Sequence, residues 1–318
     1  MSLLREWRGG VPTDAKMSAS EFARGVLRHQ LAVALSHAPG TRAGDDPEEL
    51  HDMRVAVRRM RAAIQLYGPA GVGVLDPLAV DLGPSLRWLG GVLGPVRDLD
   101  VQLAQLSSWR SEWELDCSIF DPVIDERWAE RRRFERRRMV AHLDSEAYRS
   151  LIEVAVRALR GDGVVALEEA SAAEPTVAEI TPQVLMAARR RVLRAGDRIS
   201  ADSSSKRYHR CRVRAKVLRY AIEFHASFLG KPAKRMLRML RRLQDVLGEH
   251  QDADVAREHL RGVLDGELPS RTAFGLGVLD ERYRQLGEEL RSEFPEPYGD
   301  LRGRAWKDLR ARAEKRTR

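Results

Sequence analysis

Hydrophobic residues recur at steps of three and four along most of the chain, and no segment of the sequence alternates strictly as a half-buried β-strand does. Steps of this length place apolar side chains on one face of an α-helix. Prolines near the starts of these segments and glycines just past their ends agree with helix boundaries. The pattern therefore predicts an all-α protein with helices at 20–36, 47–67, 121–142, 145–159, 182–199, 206–228, 232–247, 271–290 and 297–313.

The stretch 161–180 interrupts this helical pattern. It contains five acidic residues, no Lys and no Arg, and it has no continuous apolar face. Such a composition is typical of a linker. We therefore expect an N-terminal tail at 1–19, a helical bundle at 20–160, an acidic linker at 161–180 and a second helical bundle at 181–318.

Two motifs occur once in each half of the chain. The sequence HDMRVAVRRMRAAI begins at His51, and HRCRVRAKVLRYAI begins at His209, which is 158 residues later. A second pair, LRWLGGVLGPVRDLDV from Leu86 and LRRLQDVLGEHQDADV from Leu240, has an offset of 154 residues. Two long copies indicate an internal duplication, since solenoid repeats are shorter and more numerous. We expect two helical bundles related by a pseudo-twofold axis.

A row of cations follows the histidine in each copy. At 100° per residue, Arg54, Arg58 and Arg61 fall on one side of the first helix, next to its apolar face. The matching positions of the second copy are also cationic, and they hold Arg212, Lys216 and Arg219. Like charges at these steps repel one another on a helix surface, so something anionic is expected to compensate them.

Two sources of compensating charge are open, and they do not exclude each other. One is an ion-pair network inside the protein, for which the acidic candidates are Asp98, Asp100, Asp252, Asp254 and Glu223. The other is a phosphate ligand, because arginine side chains donate paired hydrogen bonds to phosphate oxygens. If a phosphate binds, the acids orient the arginines from behind.

The net charge of +8 comes entirely from the second half of the chain. Residues 1–160 contain 23 basic and 23 acidic residues, whereas residues 161–318 contain 32 basic and 24 acidic residues. A basic surface of this size favours a polyanionic partner or an anionic membrane surface. A solvated helical face is the alternative interpretation.

The motifs HDMRVAVRRMRAAI, GPVRDLDV, HRCRVRAKVLRYAIE and LQDVLGEHQDADV together resemble the CHAD domain, a family of histidine-bearing α-helical domains associated with inorganic polyphosphate. The resemblance runs from about residue 20 to the C-terminus. It implies two antiparallel four-helix bundles around a central basic cavity, polyphosphate binding in that cavity, and location at polyphosphate granules. Sulfate or phosphate is then expected to occupy the same site in crystals. The residues implied to line the cavity are His51, Arg54, Arg58, Arg61, His209, Arg212, Lys216 and Arg219.

The sequence departs from the family pattern at Gln251, where asparagine is common. About 20 residues precede the repeat, so the sequence gives no support for a fused triphosphate-tunnel catalytic domain. It also lacks the phosphate-binding loop, zinc-protease and nucleophile-elbow motifs. We therefore expect a protein that is not an enzyme and that holds no cofactor or metal.

Nucleic-acid binding is the alternative function, because a nucleic acid presents similar phosphates to a basic protein. Proteins that bind single strands interleave cations with aromatic side chains on which bases stack. The cation rows of this chain contain no aromatic residue. The pattern therefore favours polyphosphate over a nucleic acid.

Six further basic residues stand outside the two rows and are candidates for an extended cavity wall or for a solvated surface. They are Arg24, Arg28, Arg190, Arg194, Arg198 and Arg241. Arg241 has a basic counterpart, Arg87, at the same position of the first copy. For the arginines of the two opening helices, the wall and the solvated face remain equally open.

The remaining features of the sequence concern the compartment. Cys117 and Cys211 lie in different halves without metal-like spacing, which favours a reducing environment over a disulfide framework. No uncharged run reaches the roughly 18 residues that a membrane span requires. We expect a cytoplasmic protein without a membrane partner.

Overall fold

The computed structural model describes residues 2–112, 122–160, 174–200, 202–263 and 268–315. Regular structure within these ranges is entirely helical, which confirms the predicted all-α class. The elements in chain order are α1 Ser2–Trp7, α2 Ala19–Ala43, α3 Pro47–Tyr67, α4 Pro77–Val80, α5 Leu82–Glu112, α6 Pro122–Leu143, α7 Glu146–Arg160, α8 Val177–Gly196, α9 Ser205–Phe224, α10 Ala226–Leu229, α11 Lys231–Val263, α12 Ser270–Glu293, α13 Pro295–Gly299, a 3₁₀-helix Asp300–Arg302 and α14 Arg304–Glu314.

Helix α3, which carries the first motif, begins and ends where the sequence predicts. Asp46 caps its N-terminus, since the Asp46 side chain accepts a hydrogen bond from the backbone N–H of Glu48. Pro47 occupies the first turn, where a missing N–H costs nothing. The N–H of Gly68 closes the last turn onto the carbonyl of Ile64.

Helices α5 and α11, which carry the second motif, are longer than the pattern indicates. Glycines and Pro95 obscure α5 in the sequence, and no helix is predicted there, yet buried leucines such as Leu89 and Leu93 hold it against its neighbours. Helix α11 continues through Gly248 instead of ending there. Its extension buries Leu260 against helix α12, which offsets the low helix propensity of glycine.

Helix α8 begins five residues earlier than predicted. The side chain of Thr176 accepts a hydrogen bond from the N–H of Glu179, and the Glu179 carboxylate accepts one from the N–H of Thr176. This reciprocal capping box starts the helix at Val177. The last four residues of the predicted linker are therefore helical, and its residues 161–173 lie outside the described ranges.

The N-terminal segment is joined to the second half of the protein. Ser18 caps helix α2 as Thr176 caps helix α8, and the two capping residues form an isolated antiparallel β-bridge. The N–H of Ala19 donates to the carbonyl of Pro175 at 2.8 Å. Trp7 is buried under helix α2, so the predicted tail contributes to the core.

The two halves share the same order of packed helices. Helices α2, α3, α5 and α6 each contact the next in the first half, and helices α8, α9, α11 and α12 do so in the second. This repeated order supports the predicted duplication. Helix α3 packs on helix α9, and the main hydrophobic cluster includes Phe22 and Tyr67 together with Phe224 and Phe228. The predicted bundles therefore share one core.

The C-terminal region is broken where a single helix at 297–313 is predicted. Helix α13, the 3₁₀-helix and helix α14 replace it, because Pro295 and Pro297 restart the helix and Gly303 ends its second piece. Tyr298 packs so closely on helix α8 that a Cβ at Gly196 would lie 2.1 Å from its ring. The Tyr298 hydroxyl donates a hydrogen bond to the carbonyl of Leu193 at 2.9 Å.

Candidate functional site

Helices α3 and α9 place their cation rows next to each other. The Arg58 Nε donates to the hydroxyl of Tyr220 at 3.0 Å, which links the middle of α3 to α9. The Glu223 carboxylate of α9 forms ion pairs with arginines of both helices. It lies 2.8 Å from Arg59 of α3 and 3.0 Å from Arg219 of α9. These contacts cross the boundary between the halves and bring the two rows next to each other.

The first arginine of each row is anchored to the long helix behind it. The Arg54 Nη1 donates to the carbonyls of Leu93 and Gly94 at 3.1 and 2.5 Å, and Nη2 lies 3.4 Å from the Asp98 carboxylate on helix α5. The Arg212 Nη2 lies 4.0 Å from the Asp252 carboxylate on helix α11. These two ion pairs occupy matching positions of the two sequence copies.

The middle of the site holds cations without a nearby anion. Among the described residues, no carboxylate lies within ion-pair distance of the Arg58 guanidinium or the Lys216 ammonium. Burial, reinforced by Arg212 and Arg58, lowers the pKa of Lys216 to about 6. Asp252 opposes this shift but is outweighed. The unbound site therefore resists a full set of positive charges at neutral pH.

Burial also lowers the pKa of the flanking arginines. Burial is the largest cause for Arg54 and Arg212. Their aspartates act in the opposite direction, and repulsion from Arg58 adds a smaller lowering of the pKa. Burial, together with Arg87, lowers the pKa of Arg61, although the Arg61 side chain reaches solvent. An arginine stays charged through such a shift. The site therefore stores electrostatic repulsion that a bound anion would relieve.

Asp252, the acid partner of Arg212, also has a shifted pKa. Burial raises the pKa of Asp252 above its ordinary value, and Arg212 and Lys216 act against that rise. Asp98 of helix α5 adds to the rise, so the two aspartates of the two halves are within electrostatic reach of each other. Helices α5 and α11, which contact each other, therefore meet behind the two cation rows.

The two histidines lie in different surroundings. His51 is partly buried, and burial and the nearby Arg97 lower its pKa below the ordinary value. His209 is exposed, and its Nδ1 lies 2.5 Å from the Oε1 of Gln251. Arg97 and Gln251 stand at the same position of the two sequence copies, which explains the difference. Gln251 is also the position at which the sequence departs from the family pattern.

Three of the five predicted acids contact the cation rows, and two pair elsewhere. Asp98, Asp252 and Glu223 pair with the rows as described above. Asp100 instead accepts from Arg132 of helix α6 at 2.5 Å, and Asp254 lies 3.5 Å from His250 within helix α11. The internal ion-pair network is therefore present, but it leaves the middle of the site uncompensated.

The six candidates for an extended wall divide by their contacts. Arg24 and Arg28 both pair with Glu21 on their own helix, and Arg28 also donates to the carbonyl of Leu159 at 2.7 Å. These contacts favour a structural role for both arginines over a cavity wall. The other four candidates are exposed, and they are Arg190, Arg194, Arg198 and Arg241. Their role in the site stays a prediction.

Three residues of the site, Arg97, Tyr220 and Gln244, were not predicted from the sequence. Arg97 lies in the motif GPVRDLDV, but the matching residue of the second copy is not cationic, so the repeat gives no signal for it. Tyr220 is almost fully buried, with Arg59 and Arg219 over its ring at 5.5 and 5.6 Å. Gln244 accepts from Arg219 at 2.9 Å and donates to a backbone carbonyl. Polar side chains of this kind give no periodic signal.

Two features are absent from the residues that the structure describes. No group of three or more His, Cys, Asp or Glu side chains in these ranges is arranged to hold a metal ion. None of the helices searched there is both long enough and apolar enough to cross a membrane. Burial raises the pKa of Cys211 to about 12, so this thiol is unreactive at neutral pH.

Comparison with curated proteins finds relatives without an assigned function. Two uncharacterized proteins of Mycobacterium tuberculosis, MT2285 from strain CDC 1551 / Oshkosh and Rv2226 from strain ATCC 25618 / H37Rv, are each 29% identical over 306 residues. The match covers 90% of this chain and 54% of each relative, so the chain spans about half the length of these relatives. Their names state no catalytic activity.

Two solved structures share the fold. The CHAD domain from the plant Ricinus communis superposes with a TM-score of 0.74 at 23% identity, covering 92% of this chain and 96% of that one. PptA from Streptomyces chartreusis superposes with a TM-score of 0.69 at 17% identity, covering 89% and 99%. The profile of the CHAD domain family matches residues 25–261, which is well over half of the chain. The protein therefore belongs to the CHAD domain family.

Proposed function

We propose that the protein binds inorganic polyphosphate, without catalysing its turnover, between helices α3 and α9. The observation that carries the proposal is the pair Arg58 and Lys216, two partly buried cations from opposite halves without a carboxylate at ion-pair distance among the described residues. Uncompensated buried charge is costly in a folded protein, and a ligand that supplies the anion recovers that cost. The association of the family with polyphosphate supports this choice of anion.

The shape of the site favours a chain of phosphates over a single anion. Each row extends over seven residue steps, from Arg54 to Arg61 and from Arg212 to Arg219, which corresponds to about 10 Å of helix at 1.5 Å per step. A single phosphate would neutralise one turn and leave the others unpaired. A linear polyanion neutralises the row from end to end, and its high charge density suits closely spaced guanidinium groups.

The ion pairs at the two ends of the site have a role in this proposal. Asp98 and Asp252 hold Arg54 and Arg212 from behind, and the Leu93 carbonyl fixes the Arg54 guanidinium further. Fixing an arginine before the ligand arrives reduces the side-chain entropy lost on binding. The internal network and the phosphate ligand therefore act together.

Nucleic-acid binding fits the site less well. Tyr220 is the aromatic residue in contact with the cations, and it is 1% exposed, with its hydroxyl engaged by Arg58. A buried ring of this kind supports arginine side chains but offers no face to a base. The site therefore recognises phosphates and does not read bases.

A competition assay tests the proposal. Long-chain polyphosphate is expected to displace fluorescent single-stranded DNA of equal total charge, and the DNA is expected to displace polyphosphate poorly. Equal affinity for the two, or a strong base preference, would favour the nucleic-acid alternative.

A crystal grown in sulfate or phosphate is expected to hold an anion between Arg58 and Lys216. Association with cytoplasmic polyphosphate granules is part of the proposal, and a fluorescently tagged chain tests it by microscopy.

A further inference from the structure

Helix α9 carries a second row of cations outside the site described above. Lys206, Arg210 and Arg214 are spaced by four residues and lie about 60° to 140° around the helix from His209, on the side away from Arg212. Lys206 and Arg210 are exposed and Arg214 is partly buried. In the part of the chain that the structure describes, none of the three has a carboxylate at ion-pair distance. We call these three residues the outer row.

The outer row lines a depression between helices α9 and α11. The depression has a volume of about 930 Å³, and it is lined by the outer row together with His209, Gln251 and Arg261. His209 stands between the outer row and the central row of Arg212 and Lys216 along the surface of the helix. The cations of α9 therefore extend from the central site, past the His209 side chain, into the depression.

The first half offers no such continuation. The residues at the positions of Lys206 and Arg210 are Glu48 and Asp52 on helix α3. Glu48 lies 3.2 Å from Arg97, and Asp52 lies 3.9 Å from His37. The corresponding face of α3 is thus acidic and already paired with its own neighbours. The central site has a basic exit at α9 and no basic exit at α3.

The surroundings of the depression define a path along α9. On the opposite wall, Asp254 and Glu258 of helix α11 repel a polyanion toward the outer row. At the far end, the side-chain amide of Gln65 lies 2.8 Å from the Arg214 guanidinium and 3.2 Å from that of Arg191 of helix α8, and the amide orientation that turns its oxygen toward them accepts a hydrogen bond from each. The guanidinium groups of α8 and α9 therefore meet at the end of the outer row.

We propose that a polyphosphate chain longer than the central site leaves it in one direction, across His209 and along Lys206, Arg210 and Arg214. This inference rests on the proposed function, and it adds a second subsite and a polarity to it. The outer row increases the affinity for long polyphosphate chains. It does not change the affinity for short chains, because the central row already neutralises them. The protein thereby distinguishes polyphosphates by length.

A charge-reversal variant with two ligand lengths tests this inference. The variant Lys206→Glu with Arg210→Asp approximates the charge of the first half, and the probes are tripolyphosphate and long-chain polyphosphate. We expect the variant to bind long-chain polyphosphate about tenfold more weakly than the wild type at low salt, with unchanged affinity for tripolyphosphate. Calorimetry measures both affinities, and the melting temperature verifies that the variant is folded.

The matched control is Lys234→Glu with Arg238→Asp on helix α11. These two residues are exposed and spaced by four, and the substitution changes the net charge by the same amount. The control is expected to weaken long-chain binding by less than twofold, because long-range repulsion between exposed charges is screened by salt. Equal losses in the two variants would show a general charge effect and would overturn the outer row as a subsite.

The two ligand lengths separate this inference from the proposed function. If the wild type binds long chains and the outer-row variant binds both ligands as the wild type does, the second subsite is wrong and the central site stands. If the variant loses both ligands in proportion, the outer row belongs to the central site and the polarity is wrong. A wild type that binds neither ligand contradicts the proposed function itself.

Discussion

Helices α3 and α9 carry the same motif but differ along its length. In the second half of the motif both helices keep cations on the shared face, at Arg58 and Arg61 and at Lys216 and Arg219. In the first turns the charges are reversed, because α3 begins with Glu48 and Glu49 and α9 begins with Lys206 and Arg207. The shared positions meet between the two halves, and the reversed positions lie on the outer sides.

This difference separates positions that face the other half of the chain from positions that contact their own half alone. A cation at a position that faces the other half adds to one common site, so both copies gain from keeping it. A residue on the outer side contacts its own half alone, and its charge is free to change. Glu49, which lies 2.9 Å from His37, has thus become part of the internal packing of the first half.

The largest expected effect on affinity comes from removing the arginine that both helices carry at the start of the cation row. Arg54→Ala combined with Arg212→Ala removes the matching anchored cation from both halves. We expect the affinity for long-chain polyphosphate to fall about hundredfold at every pH, since charged hydrogen bonds contribute about 1.5 to 3 kcal/mol each. Each single variant should lose about tenfold, and titrations at several salt concentrations should show a shallower salt dependence.

A double variant that binds as tightly as the wild type would contradict the assignment of these two arginines. Lys234→Ala with Arg238→Ala serves as the control, because it removes the same charge from an exposed face of helix α11. The Arg54 side chain also bonds two backbone carbonyls, so thermal melting should accompany each binding measurement.

The next effect concerns the one shared position at which the cation type differs, Arg58 on α3 and Lys216 on α9. The pKa of Lys216 is about 6 in the unbound protein, and a bound polyanion favours the charged ammonium and raises that pKa. Lys216 therefore takes up a proton on binding above pH 6. Affinity is highest below that pH and falls about tenfold as pH rises toward 8. Lys216→Arg, which makes α9 match α3, should abolish this dependence.

Calorimetry in two buffers of different ionisation enthalpy counts the protons. The control is His51→Gln with His209→Gln, which replaces the two imidazoles of the motif by neutral amides. If this histidine variant loses the proton uptake at pH 8 and Lys216→Arg retains it, the role given to Lys216 is wrong. The histidines would then be the groups that couple binding to pH.

A smaller effect is expected on stability. The pKa of Lys216 is lower in the folded protein than its ordinary value of 10.5, so the unfolded chain binds more protons between about pH 6 and that value. Stability consequently rises with pH across this window. Lys216→Met removes the penalty and should raise the free energy of unfolding by about 1 kcal/mol at pH 6, and by less at pH 9. Urea denaturation at both pH values measures the difference.

The smallest effect comes from making α3 resemble α9 on its outer side. Glu48→Lys with Asp52→Arg should create a second basic exit and raise the affinity for long-chain polyphosphate about threefold, without changing that for tripolyphosphate. Glu146→Lys with Glu153→Lys on helix α7 is the control, since it adds the same charge to another exposed surface. If the control variant gains as much affinity for long-chain polyphosphate, the increase is a general charge effect, and the interpretation of this face as an exit is wrong. Fluorescence titration resolves changes of this size.

The sequence was sufficient for the class of fold and for the cation rows, because both depend on periodicity. Helix α3 was predicted to the residue, since Asp46, Pro47 and Gly68 give strong boundary signals. Helix α5 was missed because interior glycines and Pro95 resemble turn signals, and long-range packing overrides them. The start of helix α8 was detectable, as Thr176 and Glu179 have capping-box spacing.

Contacts between helices that are distant in the sequence were not predictable in the same way. The motif showed that Arg58 and Lys216 match, but it could not show that a buried Tyr220 joins their helices or that Glu223 serves both. The different partners of Asp98 and Asp100 were unpredictable for the same reason. Both acids belong to the motif GPVRDLDV, and only the position of helix α6 determines that Asp100 pairs with Arg132.

The β-bridge between Ser18 and Thr176 has a kinetic consequence. It joins two residues 158 positions apart, each of which caps the first long helix of its half. The first backbone N–H of each helix, at Ala19 and at Val177, donates to a carbonyl of the other segment, so this junction requires the closure of a very long loop. Contacts of such high sequence separation slow the folding of a chain. We therefore expect the protein to refold slowly and as a single cooperative unit. Neither half should reach its native structure before it has packed on the other.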